Sequence, residues 1–177
     1  MYQAPPQARR AGRDAPLSRP PGSACVGLVS DTHGLVRPGC LAALAGADLI
    51  LHGGDVGGPH VLAALATIAP VRAVAGNVDD PRAPDLPAAV DLELAGVSLH
   101  VSHGHELGAP TPARLVERYG ADVVVFGHTH RPIVERIGRQ LVVNPGSAGP
   151  ARSRLVPSIA WLVLRDGQAE AELVALV

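Results

Sequence analysis

The chain has 177 residues, enough for one domain that buries roughly 70% of the surface its unfolded form would expose. Its 15 basic side chains nearly balance 16 acidic ones, so the overall charge favours neither nucleic acid nor an anionic membrane surface as a partner. All 15 basic residues are arginine, which excludes catalysis through a lysine Schiff base and leaves arginine or protonated histidine to contact anions.

Residues 1–23 are predicted to form a disordered N-terminal tail, because they hold five prolines and four arginines with almost no apolar residues. The segment lacks the apolar stretch of a secretory signal, and no run in the chain approaches the length of a membrane span. The two cysteines, Cys25 and Cys40, provide no disulfide framework. We therefore expect residues 24–177 to form a single domain in a reducing cytoplasm.

From Ala24 onward, short apolar runs alternate with helix-like segments, a pattern typical of an α/β fold. Five of the apolar runs predict strands, and each is followed by polar residues. In chain order they are "CVGLV" before "SDTHG", "DLIL" before "HGGD", "VRAVA" before "GNVDD", "VSLHV" before "SHGH", and "DVVVF" before "GHTH". Ligands of open parallel sheets bind outside the carboxyl ends of the strands, so these five polar strand ends are expected to converge.

Three segments between these runs predict crossover helices, each opened by Pro, Gly or Thr: Pro38 to Gly46, Gly58 to Ile68 and Thr111 to Gly120. The C-terminal part instead favours strands joined by turns such as Asp166-Gly167. We interpret these strands as an antiparallel addition that forms or completes a second sheet.

Convergence of the strand ends would bring together seven side chains that can bind metal: Asp31, His33, Asp55, Asn77, His103, His128 and His130. Imidazole and carboxylate ligands without thiolate suit Mn, Fe, Zn, Ni or Co and argue against a structural cysteine-type zinc site. Seven ligands exceed the needs of one tetrahedral ion. They divide into two sets of four if one carboxylate bridges two ions roughly 3.5 to 4 Å apart.

Glycines flank these candidates. Asp55 is framed by Gly54 and by Gly57-Gly58, which makes it the natural bridge between two ions. A side chain that turns inward at a strand end needs an abrupt backbone, and glycine supplies positive φ and close approach without steric cost. This role is expected of six glycines: Gly34, Gly53, Gly54, Gly76, Gly104 and Gly127.

Each candidate also has a structural interpretation when considered alone. Asp31 or Asp55 could cap a following helix, and Asn77 could be a turn residue. His60 and His100 are interpreted as structural histidines, because His60 falls within a predicted helix and His100 within a predicted strand. The placement of metal-competent side chains at five independent strand ends favours a metal centre over these separate explanations.

The motifs Asp31-x-His33, Gly54-Asp55, Gly76-Asn77, His103-Gly104-His105 and Gly127-His128-x-His130 occur in the order and approximate spacing of the calcineurin-like metallophosphoesterases. The stretches "SDTHG", "GNVDD", "FGHTH" and "NPGSAG" most resemble the small bacterial and archaeal phosphodiesterase branch, which is related to the retromer subunit Vps29. The resemblance covers residues 24 to about 165. It implies an α/β fold of the metallophosphoesterase type, a β-sandwich of two mixed sheets flanked by helices.

The resemblance also implies roles for individual residues. One metal would be held by Asp31, His33, Asp55 and His130, and the other by Asp55, Asn77, His103 and His128. The expected cofactors are two divalent ions, manganese first, with nickel, cobalt, zinc or iron as alternatives. Asp55, Asn77 and His103 are the implied catalytic residues, around a metal-bridging hydroxide that attacks phosphorus in line. His105 and His52 could orient neighbouring ligands, and a structural histidine is an equal alternative for His52.

One position departs from the larger members of the superfamily, which resemble Gly-Asn-His-Glu after the third strand. The histidine of that motif is thought to assist the leaving group, and this chain has Val78 in its place. Asp79 follows, as an acid does in the family. Water or another residue must then protonate the leaving oxygen, so activity is expected to favour activated esters.

Charge supports phosphate chemistry. Two divalent ions, Asp31, Asp55 and a bridging hydroxide sum to about +1, which matches a phosphodiester monoanion. The expected partner is a small phosphodiester substrate. No membrane partner is expected, and the sequence does not indicate binding to nucleic acid. The chain is compatible with a homo-oligomer. Two alternatives remain: a non-catalytic scaffold like Vps29, and a nuclease, nucleotide hydrolase or phosphomonoesterase of the same superfamily. Competent residues at all seven ligand positions favour an enzyme over a scaffold.

Overall fold

The computed structural model describes residues 22–151 and 155–176, together with the backbone of the two-residue strand Arg9–Arg10. The expected tail over residues 1–23 falls largely outside the described residues. In the described part of the chain, no helix is both long and apolar enough to cross a membrane.

The described elements are eleven strands, three α-helices and one 3-10 turn. The strands are β1 (Arg9–Arg10), β2 (Ala24–Val29), β3 (Leu49–His52), β4 (Val71–Ala73), β5 (Ala89–Leu94), β6 (Val97–Ser102), β7 (Val123–Val125), β8 (Ile133–Ile137), β9 (Gln140–Asn144), β10 (Ser158–Arg165) and β11 (Gln168–Ala175). The helices are α1 (Pro38–Ala43), α2 (Pro59–Ala66) and α3 (Pro112–Arg118), and the 3-10 turn is His105–Leu107. All three predicted helices are confirmed, each shorter than its predicted segment and each beginning at a proline, which suits the first helical turn.

The strands form two mixed sheets. The order in the first sheet is β1-β11-β10-β2-β3-β4, and in the second it is β5-β6-β7-β9-β8. Strands β2, β3 and β4 are parallel neighbours in the first sheet, and β6, β7 and β9 are parallel neighbours in the second. The predicted sandwich of two mixed sheets flanked by helices is confirmed.

The structure refines two expectations from the strand pattern. The five polar strand ends come from both sheets, because β2, β3 and β4 belong to the first and β6 and β7 to the second. The expectation that the C-terminal strands form an antiparallel addition to a second sheet is wrong in part: β8 and β9 lie in the second sheet, where β9 is parallel to β7, while β10 and β11 extend the first sheet. The predicted turn between β10 and β11 is confirmed, since Asp166 and Gly167 both have positive φ.

Three apolar layers hold these elements together. Leu28 and Val101 lie in the layer between the two sheets. Leu65 of α2 and Trp161 of β10 belong to the layer between the first sheet and helices α1 and α2, and Phe126 belongs to the layer under α3. Full burial of a side chain such as leucine contributes about 1.5–3 kcal/mol. This packing fixes the two sheets so that their strand ends meet at one edge.

Candidate metal centre

The carboxyl ends of five strands from both sheets meet at one edge of the sandwich. Asp31 and His33 follow β2, Asp55 follows β3, Asn77 follows β4, His103 follows β6, and His128 and His130 follow β7. Backbone hydrogen bonds join the loops: His33 N–H donates to Asp55 O at 2.9 Å, and Gly127 N–H donates to His103 O at 3.1 Å. The structure therefore brings all seven candidate ligands into one region.

Four of the seven form a compact group: Asp31, His33, Asp55 and His130, whose ligand atoms all lie within 4.8 Å of one another. Nε2 of His130 lies 3.1 Å from Oδ1 of Asp31, and Nε2 of His33 lies 3.7 Å from Oδ2 of Asp55. The two imidazoles also face each other, with their Nε2 atoms 3.4 Å apart. These residues are the first ligand set implied by the family resemblance.

The other candidates surround the opposite side of Asp55. Nε2 of His103 lies 3.4 Å from Oδ1 of Asp55 and 3.2 Å from Oδ1 of Asn77. Nδ1 of His128 lies 3.1 Å from the same Asn77 oxygen. One oxygen of Asp55 thus faces His33 and the other faces His103. This arrangement gives Asp55 the geometry of a ligand shared by two sets.

The donor atoms fit divalent metal ions. Nδ1–H of His103 donates to Gly53 O at 2.7 Å, so a neutral His103 turns the lone pair of Nε2 toward the oxygens of Asp55 and Asn77. The lone pair of Nε2 then faces the carboxylate of Asp55, and a proton or a cation between them relieves the repulsion. Oδ1 of Asp31 is also buried, and its 3.1 Å contact with Nε2 of His130 lacks the geometry of a hydrogen bond. Such an atom is costly without a positive partner.

Electrostatics in the metal-free protein follow from the same contacts. Burial acts to raise the pKa of Asp55, but hydrogen bonds from His103 and the Val78 N–H lower that pKa to about 2. Burial acts to lower the pKa of His103, but its contact with Asp55 and the charge of Asp31 leave that pKa raised. Burial and the neighbouring His103 lower the pKa of His128. Protonation and metal binding compete at Nε2 of His103, because both use the same lone pair.

Backbone strain is concentrated in the candidate ligands. Positive φ occurs at Asp31 (54°), His33 (47°), Asp55 (53°), His128 (65°) and His130 (58°). Among the other described non-glycine residues, only Ala95 and Asp166 share this conformation, each just before a glycine in a turn. Left-handed backbone at such residues costs of order 1–3 kcal/mol each, and it gathers at functional sites. The sharp turns at the strand ends are made largely by the ligands themselves.

The flanking glycines therefore divide into two groups. Gly34, Gly54 and Gly104 have positive φ, as expected. Gly53, Gly76 and Gly127 do not, so positive φ is the wrong explanation for them. Their role is close approach: a Cβ at Gly76 would overlap Oδ1 of Asp55, and a Cβ at Gly127 would overlap the Ser30 hydroxyl.

His52 lies below the metal centre as a satisfied structural histidine. Its Nδ1 accepts from Gly54 N–H at 3.2 Å, and its Nε2–H donates to the Thr32 hydroxyl at 2.9 Å. That hydroxyl donates in turn to Val56 O at 2.9 Å. Burial lowers the pKa of His52 to about 4, although the charge of Asp31 opposes the change. The neutral ring therefore links the loops that carry Asp31 and Asp55.

His105 lies at the rim of the site. Its ring centroid is 5.3 Å from that of His103 and 6.3 Å from that of His128, and its side chain is 40% exposed. Nδ1 of His105 lies 3.8 Å from Oε2 of Glu106, whose Oε1 accepts from the Tyr119 hydroxyl at 2.8 Å. This position faces solvent beside the second ligand set.

The remaining two histidines lie outside both ligand sets. Nε2–H of His60 donates to Gly34 O at 2.8 Å. Nδ1 of His100 contacts Oδ1 of Asp91 at 2.7 Å, and its ring stacks on Tyr119 with centroids 3.7 Å apart. The structural interpretation of both residues agrees with these contacts.

Side chains of the turn "NPGS" hold the loops that carry the candidate ligands. The sequence alone indicates only a tight turn and a motif of the related family. Nδ2 of Asn144 donates to Gly127 O at 2.7 Å. The Ser147 hydroxyl donates to Asp31 O at 2.8 Å. These two hydrogen bonds hold the backbone just before His128 and at Asp31. Their partners are 17 and 116 residues apart in the sequence. Contacts of this kind leave no periodic signal in a sequence.

A family model described as the calcineurin-like phosphoesterase superfamily domain matches residues 25–167. A probable metallophosphoesterase of Methanothermobacter thermautotrophicus is 32% identical over 160 residues, which cover 84% of this chain and 91% of that protein. The chain belongs to the calcineurin-like phosphoesterase superfamily. This superfamily uses divalent metal ions, in agreement with the Asp and His donors described above.

Solved structures share the fold. Vps29 of Entamoeba histolytica, in complex with Zn²⁺, has a TM-score of 0.68 at 25% identity, covering 86% of this chain and 99% of that chain. A structure described as a novel archaeal phosphodiesterase has a TM-score of 0.68 at 21% identity, covering 84% of this chain and 99% of that one. The latter likeness establishes the architecture alone.

Proposed function

We propose that this protein is a metal-dependent phosphodiesterase that binds two divalent ions, manganese first, at the seven residues Asp31, His33, Asp55, Asn77, His103, His128 and His130. The observation that carries the proposal is the position of Asp55. Its Oδ2 faces His33 and its Oδ1 faces His103, so one carboxylate serves both ligand sets. Two ions with a shared carboxylate form the arrangement that suits in-line displacement at phosphorus.

The bound ions would supply an activated water and positive charge for the phosphate oxygens. The chain's part is to hold that charge in place without cancelling it. Only Asp31 and Asp55 contribute negative charge to the ligand sets, because His and Asn are neutral ligands. The excess positive charge suits a phosphate diester, which carries a single negative charge. No side chain has to act as a nucleophile.

Individual residues have distinct parts in this proposal. Asp55 contributes one oxygen to each ligand set and so fixes the distance between the two ions. His103 presents Nε2 because Gly53 O fixes the proton on Nδ1. The Asn77 oxygen lies between His103 and His128, at 3.2 and 3.1 Å, and completes the second set without adding charge. The Zn²⁺ complex of Vps29 adds support for a metal site in this fold.

The test combines metal content with substrate choice. Metal-free protein is loaded separately with Mn²⁺, Ni²⁺, Co²⁺, Zn²⁺ or Mg²⁺, and bound metal is counted by elemental analysis. Each form is then assayed with bis(p-nitrophenyl) phosphate and p-nitrophenyl phosphate. We expect two ions per chain, activity that disappears with chelation, and a higher kcat/KM for the diester.

Other outcomes would point to the alternatives. Faster hydrolysis of the monoester would identify a phosphomonoesterase of the same superfamily. Two bound ions with no turnover of either ester, or of a wider panel of nucleotide esters, would favour a scaffold. A single ion in fully active protein would exclude the dinuclear site.

A further inference from the structure

The carboxylate of Asp79 contacts three backbone amides and no side chain in its described hydrogen bonds. Oδ2 accepts from Val56 N–H at 3.0 Å and from Gly76 N–H at 2.8 Å. Oδ1 accepts from Gly57 N–H at 2.9 Å. A carboxylate that accepts three N–H groups makes charge-assisted hydrogen bonds, which are stronger than neutral ones.

These amides belong to two loops that are distant in sequence. Val56 and Gly57 directly follow Asp55, the shared ligand, whereas Gly76 directly precedes Asn77. The left-handed backbone of Asp55, with φ of 53°, leads into two successive amides that both point at the same carboxylate. Asp79 thus joins the loop after β3 to the loop after β4 on either side of two candidate ligands.

The two ligand sets depend on this junction to different degrees. Asn77 is an exposed residue that belongs only to the second set, so its position depends on its backbone. Asp31 and His33 of the first set have backbone contacts of their own with the loop after β3: Asp31 N–H donates to Gly54 O at 3.0 Å, and His33 N–H donates to Asp55 O at 2.9 Å. Neither of these bonds involves Asp79.

We infer that Asp79 is a positioning residue that fixes Asn77 against Asp55 and thereby builds the second metal-binding set. The inference rests on the proposed function, since it needs two ions. It also gives Asp79 a role of its own in a chain where Val78 replaces histidine. With both oxygens occupied by backbone amides, the carboxylate has no need of a histidine partner at position 78.

The first measurement uses metal-free protein. Asp79→Ala should lose hydrogen-exchange protection, by at least about tenfold, at the Val56, Gly57 and Gly76 amides, while protection of the strand amides is retained. Asp80→Ala is the matched control, because it removes a neighbouring carboxylate that accepts only from Arg82 N–H among its described contacts. Unchanged exchange at the three amides in Asp79→Ala would overturn the inference.

The second measurement separates the two ions. Wild-type and Asp80→Ala proteins should bind two Mn²⁺ and give the electron paramagnetic resonance signal of a coupled pair. Asp79→Ala should keep one ion with near wild-type affinity and bind the other about 10–100-fold more weakly, with the signal of isolated Mn²⁺. Asp79→Asn should lie between them, because it keeps one acceptor oxygen.

The possible results are distinct. Wild-type protein that binds a single ion would refute the proposed dinuclear function itself. Two ions of wild-type affinity in Asp79→Ala would leave that function intact and refute only the positioning role. Equal weakening of both ions would also refute it, since a general structural defect has no reason to spare the first ligand set.

Discussion

Oδ1 of Asp55 lies 3.4 Å from Nε2 of His103, although Asp55 follows a strand of the first sheet and His103 follows a strand of the second. The contact spans the junction between the sheets, so the packing of the sandwich sets the distance between these two residues. The other oxygen of Asp55 faces His33 within the first sheet. Asp55 therefore contacts residues of both ligand sets, and the packing of the two sheets determines how the sets lie relative to each other.

Asp55→Ala should abolish hydrolysis while the fold is retained. In the proposed dinuclear site the change removes a ligand from both ions, so the loss should exceed the 10–100-fold that is typical of residues that only orient ligands. Metal content should fall below one ion per chain. Turnover, bound metal and far-UV circular dichroism are measured together, with exposed Asp85→Ala as a control for the loss of one negative charge. Near-normal turnover in Asp55→Ala would show that the bridging assignment is wrong.

Gly76→Ala should damage the site through sterics alone. Gly76 does not have positive φ, but a Cβ there would overlap Oδ1 and the backbone N of Asp55. The expected cost is about 1–3 kcal/mol of unfolding free energy, with weaker metal binding, because Asp55 must move. Gly120→Ala is the control, since a Cβ there has no neighbour within 4 Å. Chemical denaturation and metal titration of both variants provide the comparison, and equal behaviour would contradict the steric explanation.

Much of the site could be predicted because its ligands follow apolar runs. The apolar, β-branched sequence of a run such as "DVVVF" is enough to predict a strand. Residues that follow parallel strands meet at one edge of the sheet. The partition of β4 and β6 between two sheets could not be predicted in this way, because periodicity identifies a strand and not its neighbours. Strand β5 itself was not predicted, although its sequence alternates: Val90, Leu92 and Leu94 point inward and exposed residues lie between them.

The hydrogen bonds between loops could not be predicted from sequence patterns. Asp79 accepts from Val56 at a separation of 23 residues, and Ser147 donates to Asp31 at a separation of 116. An acid or a serine in a polar loop has no distinctive spacing, because its partner is a backbone group that every residue carries. The same reasoning applies to the positive φ of the ligands, which depends on the loops packed around them.

His52 should make the metal-free protein less stable at acidic pH. Its pKa is lowered by burial from 6.5 to about 4, so the unfolded chain takes up a proton near pH 6.5 and the folded chain only near pH 4. Stability from this residue is therefore complete above pH 6.5 and lost progressively as the pH falls toward 4. A pKa difference of this size corresponds to roughly 3 kcal/mol.

Urea unfolding of wild-type and His52→Gln proteins at pH 7 and pH 4.5 tests this linkage. Glutamine cannot take up the proton, so the variant should lose about 2–3 kcal/mol less than wild type between the two pH values. Other titrating groups contribute similarly to both proteins and cancel in the comparison. An equal loss in both would mean that His52 accepts a proton within the folded state at an ordinary pKa.

Val78 should make the rate depend strongly on the leaving group. Its backbone N–H donates to Oδ1 of Asp55 at 3.1 Å, the residue is 55% exposed, and its side chain has no proton to give. Across a series of aryl phosphodiesters, kcat/KM should therefore fall steeply as the pKa of the leaving phenol rises. A shallow dependence would show that another group, such as His105 or an ordered water, already acts as the acid.

Val78→His extends the same test. A well-placed general acid contributes about 10²–10⁴-fold, but an imidazole at position 78 also needs a partner that orients it. The neighbouring Asp79 already accepts three backbone amides, so at most one acceptor site on its Oδ1 is left to orient that ring. We therefore expect a gain below about tenfold for alkyl or nucleoside leaving groups and none for nitrophenyl ones, with Val78→Gln as a control of similar polarity that cannot act as an acid. A gain of 10²-fold or more with Val78→His alone would contradict this expectation and would mean that Asp79 orients the new ring, either through the remaining acceptor site of Oδ1 or by releasing a backbone amide.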